Sequence, residues 1–214
     1  QAAAAGAGNY TGTVSLDPLP DGDTCIDAND VDEAALPYTW SDLSTLFIHD
    51  CPAGVCPGTA GPDVWHAIDV PADTVLRVEK TAGASDTFIA AVTDCSGAPT
   101  VLNVVKAPEN PEIMVWHNQG ASTATVYVVA GLVAAGSLSS TQFTFSLATP
   151  VDGDFCTNAI TVPLGTTTPY TGDWADLGDY WWGGTGCGAS GGADVWFEVP
   201  VPATQRLTVT ETVG

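Results

Sequence analysis

Two short acidic stretches carry the residue types best suited to chemistry. "DGDTCID" (21–27) sets Asp21, Asp23 and Asp27 on one loop, and "DGDFCTN" (152–158) repeats the spacing with Asp152, Asp154 and Asn158. Hard oxygen donors clustered on a loop suit calcium, the one cofactor these residues suggest. The EF-hand pattern fails, because no glycine occupies its turn position in "DANDVDEAA" (27–35). Asp and Asn also build turns by bonding their own backbone, and turn building is the stronger of the two readings.

Catalytic constellations are weaker. Ser190 lies in "GASGG" (188–192), which satisfies G-x-S-x-G, but that motif needs a strand before it and a helix after it. Here a glycine-rich loop precedes and a strand candidate follows. The histidines His49, His66 and His117 form no metal-binding spacing. His66 shares a strand face with Val64 and Ile68, which predicts a partly buried, hydrogen-bonded core histidine. No set of nucleophile, base and oxyanion donors can be assembled, so a non-enzymatic chain is expected. Tyr180, Trp181 and Trp182 form an aromatic run beside glycines, suited to stacking on sugars, to an interface, or to covering the end of a domain. Asn9-Tyr10-Thr11 matches a glycosylation sequon, a match that is usually idle in a bacterial protein.

The bulk composition narrows the partners. The 214 residues include 25 acidic and 4 basic side chains, for a net charge of -21. Nucleic acids need Lys and Arg to neutralise phosphates, and anionic membrane surfaces select against this charge, so neither is an expected partner. A hydrophobic fraction of 45% with seven Trp argues for a real core rather than disorder. The apolar run at 126–135 is too short to span a bilayer. Six cysteines without a C-x-x-C pair favour disulfides and an oxidising compartment. The opening "QAAAAG" resembles a mature end left after signal removal.

The two acidic stretches belong to a longer repeat. Cys25 matches Cys156 and Cys56 matches Cys187, each 131 residues on. At the same offset "GPDVWHAIDVPA" (61–72) matches "GADVWFEVPVPA" (192–203), and "LRVEKTAG" (76–83) lines up with "LTVTETVG" (207–214). One offset kept across cysteines, turns and strands marks a repeated unit. It divides the chain into an N-terminal strand segment (1–20), a whole unit (21–149) and the first half of a second (150–214).

The pattern of the unit is all-β. Val64, His66, Ile68 and Val70 alternate with Trp65, Ala67 and Asp69, which predicts a half-buried strand with the tryptophan outward. The matching segment should turn Val195, Phe197, Val199 and Val201 inward, with Trp196 and Glu198 outward. Further strands are predicted at 74–81, 87–93, 112–118, 124–131 and 141–148, with Gly, Pro, Asn and Asp between them. A short helical turn near 41–47 is compatible with the sequence. Many short strands joined by turns indicate antiparallel β-sandwich or jelly-roll-like modules in tandem.

"DGDTC", "GPDVW" and "SDTFIAAVTDCSG" (85–97) together resemble the tandem β-sandwich modules of secreted bacterial proteins related to the bacterial pre-peptidase C-terminal (PPC) domain. The resemblance implies a jelly-roll-like module without catalysis of its own. Such modules accompany secreted peptidases or repeat along extracellular and cell-surface proteins. This chain departs from the peptidase-associated form: it repeats the module and carries no protease domain.

The repeat also predicts bonds. The second unit holds Cys156 and Cys187, which should pair; the first should then pair Cys25 with Cys56, leaving Cys51 with Cys95. "YTGTVSL" (10–16), with Tyr10, Gly12, Val14 and Leu16 on one face, aligns with the closing strand "TQFTFSL" (141–147). Residues 10–16 of one copy are therefore expected to add to the second unit of another, head to tail. A continuous array with its neighbours in cis would pair the same strands. The expected role is an extracellular or cell-surface structural module in a fibre or array; the alternative is an accessory or carbohydrate-binding module of a larger secreted enzyme.

Overall fold

Alternating apolar and polar residues set the strands, and their apolar faces set the layers. The computed structural model describes residues 19–41, 51, 55–56, 61–83, 86–96, 99–106, 112–133, 141–163 and 195–210. Among the described residues, eleven strands run in order: β1 (Asn29–Val31), β2 (Tyr38–Trp40), β3 (Asp63–Val70), β4 (Thr74–Ala82), β5 (Thr87–Val92), β6 (Val101–Lys106), β7 (Ile113–Asn118), β8 (Ala124–Leu132), β9 (Gln142–Ala148), β10 (Ile160–Thr161) and β11 (Phe197–Glu198). The predicted helical turn near 41–47 falls almost wholly outside the described residues. One short 3-10 turn, Glu33–Ala35, is capped by the Asp32 carboxylate, which accepts from the Ala34 N–H at 2.9 Å.

Nine of the strands make an antiparallel sandwich of two sheets, ordered β1-β3-β8-β5-β6 and β2-β9-β4-β7. The exception to antiparallel pairing is β1, which runs parallel to β3 with Asn29 opposite His66. Side chains alternate across a strand, so one set from each sheet meets in the middle. Ile68 from β3, Leu76 and Val78 from β4, Val128 from β8, and Phe143 and Phe145 from β9 are buried there. Each such side chain contributes about 1.5–3 kcal/mol by leaving water. At one end of this core Lys80 meets Glu112 in a buried ion pair, Nζ to Oε2 at 3.1 Å. Glu112 Oε1 also accepts from the Thr87 backbone N–H at 3.3 Å, so this carboxylate ties the two sheets together.

The outer face of the five-stranded sheet is covered as well. Trp65 was expected to face solvent, but it is buried with Phe88, Val92 and Val129 against Val55, Cys51 and Cys56. Period two assigns Trp65 to the outer face correctly; chain folded over that face then keeps it from water.

The disulfides of this cover differ from the pairing the repeat predicted. Cys25 bonds Cys95, with Cα atoms 5.5 Å apart, and Cys51 bonds Cys56, at 6.0 Å. The offset maps positions onto positions, but it does not carry bonds. The residue matching Cys51 is Trp182, so the cysteine set of the second unit cannot report how the first is linked. Cys156 is exposed, and its predicted partner Cys187 lies outside the described residues.

Non-reducing peptide mapping should therefore recover Cys25–Cys95 and Cys51–Cys56. Their sequence separations are 70 and 5. In the chain-entropy model, Cys25→Ser with Cys95→Ser should cost about 4 kcal/mol, against about 2 kcal/mol for Cys51→Ser with Cys56→Ser. Denaturation midpoints measure both; equal losses, or a recovered Cys25–Cys56 peptide, would contradict this pairing.

Candidate functional site

The repeated acidic stretch folds into the same turn twice. In the first, the Gly22 N–H bonds the Asp27 carbonyl at 2.7 Å and the Asp23 N–H bonds that of Pro20 at 3.1 Å. In the second, Gly153 bonds Asn158 at 2.9 Å and Asp154 bonds Val151 at 3.0 Å. Both glycines have positive φ, 81° and 89°, a conformation open to glycine at little cost. Each turn then receives the neighbouring strand: the Trp65 N–H bonds the Gly22 carbonyl, and the Trp196 N–H bonds that of Gly153, both at 2.7 Å. Parallel pairs follow at the same offset, Asn29 with His66 and Ile160 with Phe197.

These residues lie in the two turns. Asp23 and Asp154 are buried, whereas Asp21, Asp27 and Asp152 are exposed and Asn158 donates to the Val151 carbonyl at 2.6 Å. Among the described residues, no group of three or more His, Cys, Asp or Glu side chains is placed to hold a metal ion. Asn158 Oδ1 also accepts from the Phe155 N–H at 2.8 Å, the bonding expected of a turn-building side chain.

The correspondence runs on past the turns and then changes character. Asp73 and Thr204 hold positive φ, 51° and 75°, at matching turns. The first turn leads into β4, which lies between β9 and β7. The second leads into 205–210, which joins no sheet among the described residues. Leu76 and Val78 of β4 are fully buried; their counterparts Leu207 and Val209 are 49% and 81% exposed. The inward face predicted for the second unit also departs from expectation. Phe197 is 39% exposed and Val201 is exposed, while Val195 and Val199 are half-buried. Only the two-residue ribbon of β10 and β11 is formed there, with no second sheet over it among the described residues.

A groove of about 790 Å³ lies where the second turn meets the first sandwich. Its walls are the edge strands β6 and β7 and the turn residues Asp154, Phe155 and Cys156. The Phe155 ring packs on His117, centroids 4.7 Å apart, and His117 Nε2 lies 3.0 Å from Asp73 Oδ1. Asn103 of β6 donates to the Val115 carbonyl of β7 at 2.7 Å, tying one edge strand to the other. Sequence reasoning missed this groove, since Trp116, Phe155 and Asn103 come from three separate segments. The expected aromatic site Tyr180, Trp181 and Trp182, the strand residues Tyr10, Gly12, Val14 and Leu16, and also His49 and Ser190 lie outside the described residues.

His66 is buried, as expected, but without the expected hydrogen bond. Its ring sits between Phe145, Trp40 and Tyr38, at centroid distances of 4.8, 5.8 and 6.1 Å. Neither ring nitrogen has a hydrogen-bond partner among the described residues. Loss of hydration pushes its pKa from 6.5 down to about 3. It is an apolar packing element, as the phenylalanine at matching position 197 suggests.

The fold and the repeated turn define a disulfide-stapled antiparallel β-sandwich followed by a second copy of its opening turn. No family model, curated protein or solved structure matches the chain, so nothing in these comparisons links it to the PPC domain.

His66 makes stability pH-dependent with a definite sign. Between pH 6.5 and about 3 the unfolded chain binds a proton that the folded core refuses. The folded state therefore loses stability as pH falls through this window, by about 2–3 kcal/mol at about pH 4.5. Urea midpoints of the native chain and of His66→Phe at neutral and acid pH check this: the native chain should fall further, and equal falls would contradict it.

Proposed function

We propose that the chain is a non-enzymatic extracellular structural module, a subunit of a surface fibre or array assembled head to tail by strand addition. The observation that carries this reading is the recurrence of the sandwich's opening turn 131 residues on, with the same backbone bonds at Gly22 and Gly153, beside the match of residues 10–16 to the sequence of the closing strand β9. The two disulfides are consistent with an oxidising compartment. No helix of the described residues is long and apolar enough to cross a membrane. A contact that is head-to-tail and does not close into a ring extends into a filament.

A second reading, an accessory module that binds carbohydrate or another ligand, is favoured by the groove at β6 and β7. Trp116, Phe155 and Trp196 offer flat apolar faces there, beside the polar Asn103 and Gln119. Assembly separates the two readings: a fibre subunit forms filaments, and an accessory module stays monodisperse.

Deleting residues 1–17 tests the fibre reading. The full chain should form filaments by electron microscopy, and the shortened chain should keep its far-ultraviolet dichroism and form none. A shortened chain that polymerises as the full chain does would contradict strand addition by this segment.

A further inference from the structure

We infer that the groove between β6, β7 and the second turn binds a neutral saccharide chain, stacked on aromatic rings and held by side-chain amides. This rests on the accessory-module reading above and names its ligand class. The groove volume of about 790 Å³ falls within the usual size of ligand sites, about 300–1,000 Å³.

The aromatic wall is positioned without a ligand. Trp116 packs against the central core and stays half-buried. Phe155 is half-buried on the His117 ring at 4.7 Å, and His117 is itself held by Asp73, with Nε2 3.0 Å from Oδ1. Trp196 is half-buried too, and its backbone N–H is tied to the Gly153 carbonyl. Three rings from three segments thus line one groove, and a ligand need not order them. A pyranose with equatorial hydroxyls presents flat C–H faces, which carry a slight positive charge and stack on the negative face of an aromatic ring. Its hydroxyls both donate and accept, as do the amides of Asn103 and Gln119.

Charge selects a neutral ligand. The groove is lined by no Lys or Arg, and its one carboxylate, Asp154, is buried in the turn. A phosphate or uronate would enter without a counter-charge, against a chain of net charge -21. An ammonium group would find no exposed carboxylate in the walls. A purely aliphatic ligand would take the two amides out of water without bonding them.

Backbone bonding disfavours an added strand as the occupant. The Lys80 N–H bonds the Glu112 carbonyl at 2.9 Å, so Met114 and Trp116 bond back to β4 while Val115 and His117 aim their backbone groups at the outer edge of β7. The Val115 carbonyl already accepts from the Asn103 amide at 2.7 Å, and that of His117 accepts from the Gln119 N–H at 3.1 Å. A strand pairing with β7 would have to displace both. The occupant is therefore one that side chains can hold.

Titration calorimetry of the full chain tests this with cellohexaose and chitohexaose, both neutral, and with the glucuronate hexamer, whose rings are alike but charged. At least one neutral hexamer should bind and the glucuronate hexamer should not. Trp116→Ala should raise the half-saturating concentration about tenfold, and Gln119→Ala about threefold, with the far-ultraviolet dichroism kept. Gln119 is exposed, so its variant decides the matter if Trp116→Ala fails to fold. No binding of either neutral hexamer, equal binding of the charged one, or undiminished binding by the folded variants would overturn the site. Electron microscopy of the same samples reads the accessory role separately. Filaments that bind through the groove would overturn that role and leave the site standing; monodisperse particles that bind no saccharide would overturn the site and leave the role with another ligand.

Discussion

A β-strand makes two demands on its surroundings: its apolar face must leave water, and its edge amides and carbonyls must find partners. The first unit of this chain meets both. Its two sheets bury their inner faces against each other, and β4 is paired on either side by β9 and β7. The edge strands β6 and β7 are joined by the Asn103 amide. The segment 205–210 repeats the pattern of β4 and has neither partner among the described residues. The proposed fibre reading draws on the repetition within one molecule, since the first unit shows the pairing that the segment's sequence pattern matches.

Charge bears on the same contact. At -21, copies of this chain repel one another over distances set by salt. An interface between them has to keep carboxylates away from its centre. Residues 10–16 carry no charge, and 205–210 carries only Arg206. The buried Lys80–Glu112 pair shows one way the first unit takes a charge into its core, with its counter-charge and a backbone donor beside it.

Much of the sandwich was legible in the sequence: β4 and β9 alternate apolar with polar residues, β5 is a continuous apolar run, and β8 spans Ala124–Leu132 where 124–131 was expected. β1 and β2, three residues each, are too short to show a period, and β6 is broken by Asn103, whose side chain serves a neighbouring strand. Trp65 shows a different limit: alternation tells which face a residue lies on, but not whether a loop covers that face. The candidate site divides in the same way. The DGD turns were visible as repeated turn residues. The exposure of Val209 was not, since its alternation with Thr208 is like that of Val78 with Arg77, and only the fold distinguishes them.

Amide hydrogen exchange on the assembled protein tests the central claim most directly. The N–H groups of Arg77 and Glu79 point towards β9, so those of Thr208 and Thr210 should point towards an added strand. Both should exchange slowly in assembled material and at the rate of an open chain in dilute monomer. Fast exchange at Thr208 and Thr210 in both states would show that no strand is added there and would contradict the account.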